Sequence, residues 1–422
     1  MSSRHGRPER HRTHWWRRIW SHFWVLPSVV ALVSVALGLA LPHLDERMTA
    51  SIPYVFESGP DGARQLLGTI GSAMISVTGL VFSITMVVLQ LASSQFTPRL
   101  LGQFLQSRIV QLTLGVFTGS FLYALTVMRL VRGGSSGGSP FVPQASVTVA
   151  FLYVLASVGF FLAFINHITE SVRLSHVLAR IGDRTRECAA VLYAGERPSA
   201  TWSPAPGTGR REVHLGDRRG SVTTIDSSGL TRWAADHDCV VELSLSPGDY
   251  VTAGDSIGRV WGGSAALDAE RVERFVDLGR ERHLDVDFGY GLRQLTDIAD
   301  RALSPGINDP TTAVQVIDEL YGVLVTVVTE PDLSPYLVDD DGAVRATYRV
   351  QKIDQLLATS LGEIWHYAKD SSGVRERVKE VTTKLAEVAA PQHRATLATF
   401  KGHLESAGPP GDPTGGVRGP KA

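Results

Sequence analysis

Long apolar runs fill the first part of the chain, and shorter amphipathic patterns follow them. Four runs reach the ~20 residues that an α-helix needs to cross a hydrocarbon core of about 30 Å. These runs cover residues 23–42, 66–92, 109–131 and 147–168. We predict four transmembrane helices, because the first run is too long for a cleaved signal peptide and three more runs follow it.

Arginines are distributed unevenly between the segments that flank these runs. Six precede the first run, two lie between the second and third runs, and four closely follow the fourth. The other two loops carry two arginines each. Short segments rich in positive charge stay in the cytoplasm. Both termini are therefore predicted to be cytoplasmic, including a basic N-terminal segment at residues 1–22.

The pattern changes after the fourth run. Residues 181–211 complete a juxtamembrane helix and continue as a linker rich in Pro, Gly and small polar residues. Within residues 212–262, the segments GSVTTID, CVVELSL and SIGRVWG predict strands, and SSGLTRWAADHD predicts a short helix between them. The turn-rich stretch SPGDYVTAGDSIGRV resembles the small biotinyl/lipoyl-type barrel, so we predict a small β-barrel-like module. No Lys precedes Lys352, so the attachment lysine is missing and we expect no cofactor.

Helical periodicity dominates residues 263–406. Apolar residues recur at intervals of three and four on both sides of a stretch near residue 305, and helices resume at 353–369 and 373–405. Asp-Gly turn chemistry predicts a hairpin at 336–350. The predicted fold class is an α-helical membrane protein with a four-helix transmembrane domain at 23–180. A cytoplasmic α+β region follows, made of the barrel-like module, an α-rich bundle and a disordered tail at 407–422.

The stretch ADRALSPGINDPTTAVQ joins two of the predicted helices. A residue before proline, as Ser304 is, disfavours the helical region, and Gly306 tolerates positive φ. Asn308 or Asp309 can cap the next helix. A structural corner therefore explains every unusual residue here. The alternative is a ligand corner in which free N–H groups and Arg301 hold an anion, although an Asp at the cap would itself occupy that place.

Small and polar residues form one stripe along the second apolar run. The residues that share this stripe and are candidates for lining a pore are Ser72, Ser76, Gly79, Ser83 and Gln90. Such a stripe could line a water-filled path around the axis of an oligomer. The alternative is dry helix–helix packing, since small residues let membrane helices approach closely. No Asp, Glu, Lys or Arg lies between Arg64 and Arg99, which disfavours a proton-relay pump.

Three segments carry a resemblance to a known family. They are GLVFSITMVVLQLASSQFTPRLL at 79–101, GLRQLTDIADRALSPGINDPTTAV at 291–314, and PGDYVTAGDSIGRVW in the predicted module. Over nearly its whole length the chain resembles the bacterial membrane-protein family called domain of unknown function 2254. The resemblance implies a multi-pass protein of the bacterial inner (plasma) membrane with this layout, and it implies no activity.

Composition narrows the classes of function. The net charge of −1 gives no bias toward nucleic acid. Cys188 and Cys239 both fall in the predicted cytoplasmic part, so we expect reduced thiols. No signature of nucleophilic, metal-dependent or phosphate-loop chemistry is present, and an enzyme is the least supported class. We predict no metal site and no catalytic residues.

Two hypotheses follow from the sequence. The first is a homo-oligomeric conduit for ions or small solutes, lined by the second helix and regulated by the cytoplasmic region. The second is a membrane-anchored sensor or scaffold without transport activity, in which the four helices only localise the soluble region at the lipid bilayer and oligomerise it.

Overall fold

The computed structural model describes residues 23–47, 59–95, 107–133, 141–171, 173–194, 200–264, 267–284 and 286–406. They form two compact units, which divide between Leu174 and Ser175. The predicted basic segment at 1–22 and the predicted tail at 407–422 lie outside the described residues.

Helices make up the first unit. They are α1 (Val25–Arg47), α2 (Pro60–Gln95), α3 (Arg108–Leu130) and α4 (Gln144–Ser171). Each covers all or nearly all of one of the four apolar runs in the sequence. Helix α3 packs against the other three and has the largest buried share of the four. The centre of the unit's core therefore lies along α3.

Glycines set the spacing between α1 and α3. A Cβ atom built on Gly115 would meet Pro27 and Val30, and one built on Gly119 would lie 2.5 Å from Ser34 Oγ. The two glycines lie four residues apart, so they share one face of α3 and let the backbone of α1 approach closely. Closely packed backbones compensate for the absence of a hydrophobic driving force between helices in lipid.

Hydrogen bonds between side chains also join the helices of the first unit. Ser34 Oγ and Tyr153 OH are 2.9 Å apart and connect α1 to α4. Tyr123 OH donates to the carbonyl of Ser146 at 3.0 Å and connects α3 to α4. Because lipid offers no hydrogen-bond partners, such buried polar groups need each other.

The second unit begins with α5 (Leu174–Tyr193) and contains a β region followed by a helical region. The β region comprises β1 (Arg210–His214), β2 (Gly220–Ile225), α6 (Ser227–Asp236), β3 (Cys239–Leu243), β4 (Tyr250–Val251), β5 (Ser256–Gly262) and β6 (Val276–Gly279). The helical region comprises α7 (Phe288–Ala302), α8 (Pro310–Val328), the hairpin β7 (Tyr336–Val338) and β8 (Val344–Thr347), α9 (Ile353–Leu357), a π-helical turn (Ala358–Gly362), α10 (Glu363–Tyr367), α11 (Ser372–Val388) and α12 (Pro391–Ser406).

The strands of the described residues form two sheets. One has the order β1-β5-β3-β8-β7 and the other β4-β2-β6. The three strands predicted within 212–262 are present as β2, β3 and β5, and the predicted short helix is α6. The predicted hairpin is β7–β8, and β8 pairs in parallel with β3, with Val241 opposite Ala346.

The β region draws on more of the chain than the predicted module at 212–262. Strand β6 and the β7–β8 hairpin join its sheets from outside that range. Buried side chains from β3 and β5 share one core with Val276 and Ala346. Without β8, the edge of β3 would have no partner, and an open edge of this kind invites pairing with other chains. The likeness to a biotinyl/lipoyl barrel stays a prediction.

Five helices of the described residues are long and apolar enough to cross a membrane, against four in the prediction. The fifth is α8, which belongs to the second unit. Its apolar side chains, from Ala313 to Val328, are largely buried against α7 and α11. Length and composition do not by themselves separate such a core helix from a membrane span.

Candidate functional site

The polar stripe of α2 lies on the outside of the described part of the first unit. Ser72, Ser76, Gly79, Ser83 and Gln90 are all exposed. The opposite side of α2 supplies the buried residues Ile70, Met74, Val81 and Val88. The five candidate residues therefore do not pack against the other helices of the first unit, and they are available to water, lipid or another copy of the chain.

Backbone groups already satisfy several hydroxyls near the stripe. Ser76 Oγ donates to the carbonyl of Ser72 at 2.9 Å, and Thr78 Oγ1 donates to the carbonyl of Met74 at 2.7 Å. Hydroxyls bonded back to the preceding turn do not require water. The stripe is thus chemically compatible with both a wet and a dry environment.

Gly79 lies in an apolar surface hollow of about 410 Å³. The hollow is lined by Trp24, Pro27, Ile75, Thr78, Gly79, Phe82, Leu114 and Thr118. A Cβ atom built on Gly79 would meet nothing within 4 Å. Gly79 therefore faces open space beside apolar side chains.

The candidates differ in depth along the first unit. Helices α2 and α3 run antiparallel, since Arg64 donates to the carbonyl of Val131 at 2.9 Å and Gly71 faces Phe121. Extending this register places Arg108, the first residue of α3, opposite α2 near residue 85. Ser72, Ser76, Gly79 and Ser83 come before residue 85 and therefore lie alongside α3. Gln90 comes after it and lies roughly 8 Å beyond the level of Arg108, at 1.5 Å per residue.

The predicted corner joins α7 to α8. Asp309 caps α8: its Oδ1 accepts from the backbone N–H of Thr312 at 3.1 Å and its Oδ2 from the Thr312 hydroxyl at 2.6 Å. These hydrogen bonds lower the pKa of Asp309 below its usual value. Asn308 adopts a positive φ of 49°. The start of α8 therefore already holds a carboxylate where an anion would bind.

Hydrogen bonds among the other corner residues stabilise the turn between α7 and α8. Ser304 Oγ donates to the carbonyl of Arg301 at 2.6 Å, and the N–H of Asn308 donates to the carbonyl of Ser304 at 2.9 Å. Gly306 is exposed, and a Cβ atom built there would meet nothing within 4 Å. Asp309 provides the predicted cap, whereas the positive φ lies at Asn308 and not at Gly306. The ligand corner stays a prediction.

Sequence analysis missed a group of charged side chains between α7 and α10. Arg293 Nε donates to Asp297 Oδ1 at 2.6 Å, and Arg293 Nη1 donates to Glu363. Asp300 Oδ2 lies 4.0 Å from Arg293 Nη2. One guanidinium therefore interacts with three carboxylates. Two of these are largely shielded from water, because the side chains of Asp297 and Asp300 are only 13% and 14% exposed. We call these four residues the Arg293 cluster.

Within the Arg293 cluster, Asp300 has a strongly raised pKa. Burial, followed by the charge and hydrogen bond of Glu363, raises its pKa from 3.8 to about 7. Arg293 opposes this shift and Asp297 adds to it. A carboxyl group with such a pKa exchanges its proton near neutral pH. The sequence signal was the spacing of Arg293, Asp297 and Asp300 on one helix face, but Glu363 is 70 residues further along the chain.

The described residues contain no cluster of side chains that could bind a metal ion. No three His, Cys, Asp or Glu side chains converge there as a metal ion would need. His167 Nε2 instead lies 2.7 Å from Ser107 Oγ, joining the end of α4 to the residue before α3.

Comparisons with known proteins place the chain among membrane proteins. A family model described as "Predicted membrane protein (DUF2254)" matches residues 20–384. "Uncharacterized protein MT1328" of Mycobacterium tuberculosis (strain CDC 1551 / Oshkosh) is 33% identical over 311 residues, which cover 71% of this chain and 59% of that protein. "Uncharacterized protein Mb1321c" of Mycobacterium bovis has the same identity and coverage. The chain thus spans about six-tenths of the length of these relatives. No solved structure matches the chain.

Proposed function

Because the chain belongs to the DUF2254 family of predicted membrane proteins, we propose that it is a multi-pass protein of the bacterial plasma membrane that forms an oligomeric conduit for ions or small solutes. In this proposal α1 to α4 cross the membrane and α8 does not. The burial of α8 against α7 and α11 supports that division. So do Asp318 and Glu319 in the middle of α8, which face Arg377 and Arg186.

The observation that carries the proposal is the exposure of the polar stripe on a span without charged residues. Ser72, Ser76, Gly79 and Ser83 lie on the outer face of α2, where several copies of the chain could bring them together around an axis. Hydroxyl groups at such an axis can replace part of the hydration shell of a passing ion. The proposal therefore requires a homo-oligomer with α2 at its centre.

Regulation by the second unit is the other part of the proposal. Helix α5 starts three residues after α4 ends. It packs closely on α8 at Gly182, where Glu319 leaves no room for a side chain, and on α7, where Thr185 contacts Gly291. With both termini cytoplasmic, a movement of α7 and α8 would reach α4 through α5, because α5 packs on α7 and α8 and closely follows α4 in the sequence.

A membrane-anchored sensor or scaffold is the second candidate. The back-bonded hydroxyl of Ser76 and the apolar hollow at Gly79 favour it, because both suit dry packing of α2 against another helix. The Arg293 cluster would then be a natural place for the soluble region to respond to its surroundings.

Cysteine accessibility separates these two functions. The variants carry a single new cysteine at Ser76 or at Ser83, and labelling is measured in membranes. Ile75→Cys is the control, because Ile75 lies on the same helix outside the stripe. Native Cys188 and Cys239 are buried, and burial raises the pKa of Cys239 to about 11, so background labelling will be low. A conduit predicts that a membrane-impermeant thiol reagent labels positions 76 and 83 much faster than 75. Equal protection at all three positions would favour the sensor.

Flux through the purified protein in liposomes tests transport directly. We expect Ser83→Leu to reduce ion flux and Gly182→Leu to change its regulation, while Ile75→Leu leaves flux unchanged. Well-folded protein that conducts nothing under several ionic conditions would contradict the conduit.

A further inference from the structure

Helix α3 carries an arginine at each end and no charge between them. Arg108 is its first residue and Arg129 lies in its last turn. The 21 steps between them span roughly 31 Å at 1.5 Å per residue, close to the ~30 Å of a hydrocarbon core. Each arginine therefore lies at the level of a lipid headgroup layer when α3 crosses the membrane.

A hollow opens directly beside Arg129. It has a volume of about 580 Å³ and is lined by Val35, Leu39, Leu125, Thr126, Arg129 and Leu130. We call it the Arg129 hollow. Its volume falls in the range of roughly 300–1,000 Å³ that small-molecule sites occupy.

The hollow runs from a cationic rim toward apolar walls. Leu125 lies one turn along α3 from Arg129 toward the middle of the helix, and Val35 and Leu39 supply the wall on α1. Gly38 faces Thr126 at this point, which keeps α1 and α3 close at the base of the hollow. The hydroxyl of Thr126 donates to the carbonyl of Leu122 at 2.7 Å, so it needs no further partner.

Arg129 is exposed, and it forms no ion pair with a carboxylate whose side chain the structure describes. A guanidinium at the boundary of the hydrocarbon core is stabilised by an anion, and it binds phosphate through parallel hydrogen bonds. The headgroup layer supplies phosphate at this depth. The apolar walls below it suit a hydrocarbon chain.

We propose that the Arg129 hollow binds a phospholipid of the leaflet that meets the C-terminal end of α3. The phosphate pairs with Arg129, and one acyl chain packs against Val35, Leu39 and Leu125. The site requires α1 and α3 to lie in the membrane, and it is independent of whether the protein conducts.

Native mass spectrometry of the full-length protein in neutral detergent tests this site. The probes are dioleoylphosphatidylglycerol and dioleoylglycerol, which share their acyl chains and differ in the phosphate. We expect Arg129→Gln to lower the binding of the phospholipid by about tenfold, the effect of losing one hydrogen bond to a charged group, and to leave the weak binding of dioleoylglycerol unchanged. Arg132→Gln is the matched control, because Arg132 is exposed nearby but does not line the hollow.

A second variant tests the apolar part of the site. Val35→Trp fills the hollow, so we expect it to lower phospholipid binding while Arg129 is still present. Equal binding by wild type and Arg129→Gln would overturn the proposal, as would equal losses in Arg129→Gln and Arg132→Gln. If Val35→Trp instead dissociates an oligomer and leaves lipid binding intact, the hollow is a contact between copies and the proposal fails.

Discussion

Asp45 on α1 caps the start of α4 through Ser146. Its Oδ2 accepts from the backbone N–H of Ser146 at 3.0 Å and from the Ser146 hydroxyl at 2.9 Å. An acidic side chain at a helix start satisfies a free N–H and complements the helix dipole. We expect Asp45→Ala to cost about 1 kcal/mol of stability, measured by thermal unfolding in detergent. Asp45→Asn retains an acceptor oxygen and should lose less; an equal loss would show that the hydrogen bonds are unimportant.

Gly119 makes possible the close contact of α1 and α3. A methyl group there would lie 2.5 Å from Ser34 Oγ, whereas one at Gly79 would meet nothing within 4 Å. We expect Gly119→Ala to destabilise the first unit by about 1–3 kcal/mol, the usual cost of overpacking. Gly79→Ala should unfold at or above the wild-type temperature, because alanine favours helix. The paired melting temperatures check this prediction, and similar values for both variants would contradict it.

Asp300 makes stability depend on pH in the opposite sense to an ordinary carboxylate. Its pKa rises from 3.8 to about 7 in the folded chain, so between these values the folded state binds more protons than the unfolded state. The stabilising contribution of Asp300 is therefore fully present below about pH 4, and it is lost as the pH rises through about 7. We expect Asp300→Asn to raise the melting temperature more at pH 8 than at pH 5.

Asp340→Asn is the matched control for Asp300→Asn. Asp340 is exposed in the turn between β7 and β8, so its substitution should change little at either pH. A pH profile in Asp300→Asn that matches wild type would show that the pKa of Asp300 is not raised in the folded chain.

Asp309 tests the two interpretations of the corner. Because it caps α8 through Thr312, we expect Asp309→Ala to cost about 1 kcal/mol and Asp309→Asn to cost less. Its pKa is lowered in the folded chain, so its contribution to stability is present at neutral pH and is lost as the pH falls through that lowered value. Melting temperatures from pH 7 downward measure this. If phosphate raised the melting temperature of wild type as much as that of Asp309→Ala, the result would favour the ligand corner, since the carboxylate would then not exclude an anion.

Local patterns in the sequence were sufficient to predict many elements of the fold. Each apolar run falls almost entirely in one helix of the first unit, because the length of a span and its lack of charge are visible along the chain. The cap at Asp309 followed from residue types whose preferences act over a few positions, whereas the positive φ lies at Asn308 and not at Gly306. The short strands β2, β3 and β5 were predicted for the same reason.

Contacts between distant segments could not be predicted in this way. The Arg293 cluster needs Glu363, which is 70 residues further along the chain and is the first residue of α10 after the π-helical turn. The exposure of the α2 stripe depends on which face of α2 meets α3, and the periodicity of α2 alone does not say which neighbour packs there. Likewise, a Val- and Ala-containing hairpin gives no indication that its second strand will pair with β3.

The parallel pairing of β3 with β8 has a consequence for synthesis on the ribosome. Val241 meets Ala346, so the larger sheet stays incomplete until more than one hundred further residues have been translated. Non-local pairing of this kind delays folding, because a long loop must close first. Meanwhile the nascent chain exposes an unpaired edge of the sheet. A gene fragment that stops between residues 262 and 336 would leave that edge open permanently, so the β region can be expressed as a soluble piece only if the fragment extends through Thr347.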